Sequence, residues 1–100
     1  MSIEYDYEVE PCTGLVTEQH FEANSRRAGV LWKRARDPEC SGYLVVIEDG
    51  VDVITNRIDP KLSYYALGEC ACDGSLRISV SVIVSNNGED RFSVPSVVNV

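Results

Sequence analysis

The chain has 100 residues, which is the length of a single domain. It carries 16 acidic and 9 basic residues, a net charge of -7, so binding to nucleic acid through a broad basic surface is excluded. No apolar run approaches the length of about 18 residues that a membrane span needs, so we expect no membrane insertion by this chain. We interpret residues 1–10 as an acidic N-terminal tail and residues 11–100 as one domain.

Short runs rich in Val, Ile, Tyr, Thr and Ser are separated by Gly, Pro, Asn and Asp turn signals, which is typical of an all-β protein. The ambiguous part of the chain is 19–36, where apolar residues also fit one side of a helix. Gly29 in the middle of this segment and the alternation of Val30 and Trp32 favour a strand over about residues 28–33.

The next strand is predicted from Tyr43 to Ile47, with Tyr43, Val45 and Ile47 facing the core. Its outer positions, Leu44 and Val46, are also apolar, which is unusual for a side that faces solvent. Together with Ile83 of a later strand they predict an exposed apolar patch that binds a partner protein or a second copy of the chain.

The clearest strand runs from Leu76 to Val84, where apolar residues alternate with smaller polar ones. The alternation predicts that Arg77, Ser79 and Ser81 are exposed and that the apolar set faces the core. The final run, residues 92–100, contains Pro95, which favours an edge position because proline has no N–H to donate. The predicted core set of the long strand is Leu76, Ile78, Val80, Val82 and Val84.

In order and spacing these elements resemble a fibronectin type III domain over about residues 13–100. The resemblance implies an all-β fold, a seven-stranded antiparallel β-sandwich of the immunoglobulin-like type, with Trp32 in its core. One departure is the corner at residues 68–74, where members of that family usually carry a tyrosine. The residues that carry the resemblance are Leu15, Val30-Leu31-Trp32-Lys33, Gly42-Tyr43-Leu44-Val45, Ser63-Tyr64, Leu67, Leu76–Val84 and Pro95-Ser96.

The resemblance implies a non-catalytic, extracellular protein-binding, adhesion or spacer module of a receptor or secreted antigen, present as a mature segment without its signal peptide. An alternative is a small acidic intracellular or viral inhibitor that blocks an enzyme or complex by binding it. Intact disulfides favour the first hypothesis and free thiols favour the second.

No enzyme, cofactor or metal site is predicted. The one histidine, His20, has no metal-spaced partner. Cys70-x-Cys72 could supply two zinc ligands, but structural zinc sites usually have two residues between paired cysteines. No Gly-rich phosphate loop is present.

Two segments are candidate binding sites. The loop Asn86-Asn87-Gly88-Glu89-Asp90 occupies the position at which some fibronectin type III domains present an adhesive peptide, although Arg-Gly-Asp is absent. Arg34 and Arg36 belong to a cluster that holds five of the nine basic residues within positions 26–36. On an acidic domain this cluster could steer an anionic partner such as a sulfated glycan.

The resemblance also implies that the start of the first strand and the loop before the third strand lie at the same end of the sandwich. Cys12 and Cys40 would then form a disulfide. Cys70 and Cys72 would lie at the other end, a strand length of about 17–20 Å away, as free thiols, a strained pair or links to another chain.

Overall fold

Eight strands build the computed structural model of the chain, which describes residues 4–22, 25–69 and 75–100. No described residue is helical, so a strand in the ambiguous segment is confirmed, although it spans Ser25–Leu31 and not about residues 28–33. Accordingly, none of the described residues forms a helix long and apolar enough to cross a membrane. The strands are β1 (Val16–Glu22), β2 (Ser25–Leu31), β3 (Cys40–Asp49), β4 (Asp52–Ile58), β5 (Tyr64–Glu69), β6 (Leu76–Asn86), β7 (Glu89–Phe92) and β8 (Ser96–Asn99).

The strands form two antiparallel sheets that pack as a sandwich. The small sheet has the order β1-β2-β5, and the large sheet has the order β4-β3-β6-β7, with β8 also paired to β6. Seven strands were expected and the described residues form eight, because β7 and β8 are two halves of one closing run along β6. Residues 93–95 separate the halves, and Pro95 in this break has no N–H with which to continue the ladder.

The turn between β3 and β4 determines which residues face each other in the large sheet. Gly50 has φ 60°, whereas the following Val51 has an ordinary negative φ, the combination found in a two-residue type II′ turn. This turn places Asp49 opposite Asp52 and Val46 opposite Thr55. Residues directly opposite each other in a sheet point to the same side, so the turn sets the composition of both sides of the β3–β4 pair.

Gly29 in β2 gives room to an aromatic ring on the neighbouring strand. A β-carbon at this position would lie 2.5 Å from the hydroxyl oxygen of Tyr64, whose ring crosses the backbone at Gly29. Gly29 pairs with Ala66, next to a bulge between Ala28 and Gly29. The glycine that counted against a helix is therefore a packing site for Tyr64 on the outer side of the small sheet.

The core lies between the sheets and is centred on Trp32 and Tyr43, whose ring centroids are 5.3 Å apart and tilted by 60°. The inward positions predicted for β3 are confirmed, since Tyr43, Val45 and Ile47 are buried. Asn56 of β4 donates a hydrogen bond of 2.8 Å to the Tyr65 hydroxyl of β5, which ties the two sheets together. The buried cluster is Val9, Cys12, Ala28, Val30, Trp32, Tyr43, Val45, Ile47, Ile78, Val80, Val82, Val84 and Val100, with Leu76 packed against it.

The acidic residues at the start of the chain lie against β7. Tyr5 forms a bridge with Phe92, and the Asp6 N–H donates to the Phe92 carbonyl at 2.7 Å. The Asp6 carboxylate also pairs with Arg91 at 2.6 Å, which holds the pKa of Asp6 below its ordinary value. Val9 is part of the buried cluster.

Candidate functional site

The predicted binding residues lie on three surfaces: the β6–β7 turn, the loop after β2, and the outer side of the large sheet. The turn and the loop are at the same end of the sandwich, because Cys40 pairs with Val84 and the Ser85 N–H donates to the Glu39 carbonyl at 3.4 Å. Leu44 and Val46 lie further along β3, away from that end.

The β6–β7 connection is a tight hairpin. Asn87 and Gly88 have φ values of 53° and 81°, the pattern of a two-residue type I′ turn, and Asn86 pairs directly with Glu89. Asp90 accepts hydrogen bonds from the Ser85 hydroxyl and from the Arg57 guanidinium, and these bonds hold its pKa below the ordinary value. The five predicted residues are exposed, but the Asp90 charge is already paired within the fold.

A cleft of about 220 Å³ lies between the residues that precede β1 and the loop after β2. Three exposed basic residues line it, namely Lys33, Arg34 and Arg36. None of the three forms an ion pair or a side-chain hydrogen bond within the described part of the chain. We call this the basic cleft; its lining is Glu10, Pro11, Cys12, Thr13, Lys33, Arg34, Ala35, Arg36 and Asp37.

Hydrogen bonds fix both walls of the basic cleft. The Lys33 N–H donates to the Thr13 carbonyl at 2.9 Å, which joins one wall to the other. The Ala35 N–H donates to the Tyr43 hydroxyl at 2.8 Å, which ties the loop to β3. Burial raises the pKa of Tyr43, so this hydroxyl stays neutral at physiological pH. The cleft is therefore a formed feature of the fold.

The expected disulfide between Cys12 and Cys40 is not formed, since both residues are free thiols. The Cys12 sulfur lies in the core at 3.8 Å from the Val80 carbonyl, whereas the Cys40 sulfur is directed to the Gly42 carbonyl at 3.5 Å. Burial raises the pKa of the Cys12 thiol, which keeps it protonated and unreactive. Cys70 and Cys72 lie outside the described residues.

The outer side of the large sheet carries Leu44 and Val46, and both are half-buried rather than open to solvent. Ser79 and Ser81, which were expected to be exposed, are only 6% and 3% accessible. They lie opposite Val46 and Leu44, and Ser79 also lies opposite Val97 of β8, so larger side chains on both sides of β6 close over them.

Ile83 does not contribute to the predicted apolar patch. It is fully buried and lies opposite Gly42 on one side and Phe92 on the other. The patch instead includes Val97, which is 44% exposed. We call Leu44, Val46 and Val97 the apolar strip.

Ion pairs flank the apolar strip at both ends. The Arg57 guanidinium pairs with Asp90 at 3.0 Å, and Arg57 lies directly opposite Leu44. At the other end the Arg77 guanidinium pairs with Glu48 at 3.1 Å. The strip is therefore an apolar centre with charged margins.

Several residues of these surfaces were not predicted from the sequence. Glu10 and Thr13 line the cleft although they lie about twenty residues from the basic loop, and Val97 joins the strip from the last strand. Strand pairing would have identified Val97, because Ser79 lies opposite it across the β6–β8 ladder. Nothing in the spacing of residues 10–13 identifies them as part of a cleft.

Among the residues that the structure describes, no group of three or more metal-ligating side chains is found. The side chain of His20 and the residues of the Cys70-x-Cys72 pattern lie outside the described part, as does the corner at 70–74 that departs from the family pattern.

Comparison with known proteins identifies the fold. No family model matches the sequence, and no curated protein is a significant match. Among solved structures, an FN3 domain of human collagen XX is similar, with a TM-score of 0.62 and 18% sequence identity over 100% of both chains. At this identity the likeness concerns the fold alone. The chain has the fibronectin type III fold, an antiparallel β-sandwich.

Proposed function

We propose that the chain is a non-catalytic protein-binding module that acts outside the cell, as an adhesion or spacer unit of a receptor or secreted protein. The observation that carries this proposal is the apolar strip of Leu44, Val46 and Val97, which ion pairs flank at both ends. Protein-binding surfaces commonly combine an apolar centre with a polar rim. The fold supports the proposal as well, because a rigid sandwich presents a constant surface to a partner.

The geometry of the strip suits contact with another protein. Neighbouring strands in a sheet are about 4.8 Å apart, so the three side chains, on β3 and β8 with β6 between them, cover a continuous area. Ser79 of β6 lies between Val46 and Val97 and is only 6% accessible, so the two valine side chains close over it. A partner that covers the apolar strip would gain about 25 cal/mol per Å² of apolar surface buried, before the costs of association.

A second candidate function is an intracellular inhibitor that binds and blocks an enzyme or complex. The free thiols of Cys12 and Cys40 favour it, because reduced cysteines are usual inside cells and uncommon in secreted domains. Both candidates bind a protein, and they differ in compartment and partner.

Site-specific photo-crosslinking tests the proposal. A photo-reactive amino acid replaces Val46 in one variant and Ala66, an exposed residue of the small sheet, in a matched control. Each variant is incubated with culture medium and with cytosol of the producing cells, and the adducts are identified by mass spectrometry. We expect an adduct from medium at position 46 and none at position 66.

Each other outcome is decisive. An adduct formed only in cytosol supports the inhibitor function in place of the extracellular one. A crosslinked pair of identical chains identifies a second copy as the partner. Equal labelling at positions 46 and 66, or no labelling at 46, overturns the assignment of this surface.

A further inference from the structure

The basic cleft is smaller than the pockets that hold drug-sized ligands. Its volume is about 220 Å³. Drug-sized ligands occupy pockets of about 300–1,000 Å³, so this cleft accommodates a single ring with one substituent. Its walls are fixed by the Lys33–Thr13 and Ala35–Tyr43 hydrogen bonds, so a ligand would not have to order the loop.

The charge of the cleft differs from that of the rest of the chain. Acidic residues outnumber basic ones by 16 to 9, yet Lys33, Arg34 and Arg36 have no acidic partner in the described part of the chain. Every other arginine whose side chain is described forms an ion pair: Arg57 with Asp90, Arg77 with Glu48 and Arg91 with Asp6. Three unpaired cations around a cavity attract an oxyanion and can hold it with charge-assisted hydrogen bonds.

The cleft also contains hydrogen-bond acceptors. Glu10 and Asp37 line it beside the three cations. One Asp37 oxygen accepts the Glu39 N–H at 2.9 Å, while Glu10 makes no such bond within the described residues. Carboxylates repel a ligand that is anionic throughout, but they accept hydrogen bonds from hydroxyl groups. The lining therefore matches a molecule that carries both an oxyanion and hydroxyls.

We infer that the basic cleft binds a sugar ring that carries a sulfate or phosphate ester. Lys33, Arg34 and Arg36 hold the ester oxygens, and Glu10 accepts hydrogen bonds from ring hydroxyls. A sulfated glycan and a free sugar phosphate share this chemistry. The inference is independent of the proposed function, because the cleft shares no residue with the apolar strip.

Isothermal titration calorimetry at low and physiological salt tests the inference with three probes. These are a heparin-derived tetrasaccharide, glucose 6-phosphate, and a hyaluronan tetrasaccharide that has carboxylates but no ester. We expect one-to-one binding of an ester-bearing probe and at least about tenfold weaker binding of hyaluronan, the loss expected when charge-assisted contacts are removed. Binding of the first probe identifies a sulfated glycan as the source, and binding of the second a sugar phosphate. Binding of neither overturns the inference.

Variants distinguish a specific binding site from general electrostatic attraction between the chain and an anion. Arg34→Gln and Arg36→Gln should each weaken binding about tenfold. Lys61→Gln changes the net charge equally, lies in the exposed β4–β5 connection outside the cleft lining, and should leave binding unchanged. Glu10→Ala gives the sharpest distinction. If binding is only electrostatic attraction, removal of this negative charge should increase the affinity for the anionic probe. If Glu10 accepts a hydrogen bond from a ring hydroxyl, its removal should lower the affinity about threefold or more.

An equal effect of Lys61→Gln and Arg34→Gln, or tighter binding by Glu10→Ala, overturns the inference. The urea midpoint of each variant, followed by Trp32 fluorescence, shows whether the fold is intact. The crosslinking result at Val46 does not depend on any of these variants, so the two proposals can fail separately.

Discussion

Gly42 offers a strict test of how the sandwich is packed. It lies in β3 at a bulge between Cys40 and Gly42, has φ 154°, and a β-carbon there would lie 2.6 Å from the carbonyl oxygen of Ile58. The obstructing atom belongs to the backbone of β4, so no side-chain rotation can relieve the contact. Gly42→Ala must therefore move β3 and β4 apart at their paired ends.

The expected loss of unfolding free energy in Gly42→Ala is the sum of two contributions. At φ 154° a side chain would lie in a backbone region that is essentially reserved for glycine, which costs about 1–3 kcal/mol. Forcing a β-carbon against backbone adds about 1–3 kcal/mol, as for other overpacked sites. We expect Gly42→Ala to lose about 2–6 kcal/mol of unfolding free energy, a large part of the roughly 5–15 kcal/mol that holds a typical domain folded.

Gly50→Ala is the matched control. Gly50 has φ 60°, and a β-carbon added there would meet nothing within 4 Å, so only the cost of the backbone conformation applies. Urea unfolding followed by the fluorescence of the single tryptophan, Trp32, measures both variants. Equal losses for the two variants would show that the close approach at Ile58 has no energetic consequence and would refute the reasoning.

Three further predictions concern other parts of the fold. Gly29→Ala should destabilise the chain by about 1–2 kcal/mol in the native background and by nothing when Tyr64 is alanine, because the Tyr64 ring is the obstacle; a double-mutant cycle measures this coupling. In the folded protein Cys40 should react with iodoacetamide and Cys12 should not, because Cys12 is buried with a raised pKa; peptide mapping that finds equal labelling contradicts this. The pKa of Asp90 is below its ordinary value of 3.8, so its contribution to stability is present above that pH and lost as the pH falls through the lowered value. Melting temperatures between pH 6 and pH 2.5 should accordingly fall less steeply for Asp90→Asn, and parallel curves would argue against the contribution.

Much of the fold was predictable because successive residues of a strand point to opposite sides of the sheet, so an alternating sequence shows which residues face the core. Tyr43, Val45 and Ile47 are buried as the alternation predicted. However, the alternation within one strand does not show which side chains of the neighbouring strands cover its outer residues. Ser79 and Ser81 point away from the core but are covered by Leu44, Val46 and Val97 on neighbouring strands, and their burial depends on sheet order and register.

The cysteine expectation failed for a related reason. The start of the first strand and the loop before β3 do lie at one end of the sandwich, since the Lys33 N–H reaches the Thr13 carbonyl. Proximity of two segments does not determine where their side chains point. Cys12 belongs to the buried cluster and Cys40 packs against the edge of that cluster, yet both are free thiols, so a shared end of the sandwich does not by itself give two cysteines the geometry of a disulfide.

The candidate sites were predictable only where their residues are close in sequence. Arg34 and Arg36 were identified because basic residues cluster in positions 26–36. Glu10 and Thr13, which complete the same cleft, come from the segment before β1 and are brought there by the sandwich topology. The cleft is formed by two separate segments that only the fold brings together. A local cluster of basic residues in the sequence therefore identifies only the wall that the loop after β2 contributes.

Tyr43 connects the core to the basic cleft and allows the cleft geometry to be tested without changing any charge. Its ring packs on Trp32, while its hydroxyl accepts the Ala35 N–H at 2.8 Å. Tyr43→Phe keeps the ring contact and leaves the half-buried Ala35 N–H without its acceptor, which should cost about 1–3 kcal/mol of stability.

The loop of Arg34 and Arg36 then loses its tie to β3, so the affinity for the ester-bearing probe should fall several-fold. Crosslinking from position 46 should be unchanged, because Val46 points to the opposite side of β3 from Tyr43. Calorimetry at a temperature where Tyr43→Phe is fully folded measures the first effect. Unchanged affinity of a folded variant would contradict the view that this hydrogen bond positions the cleft.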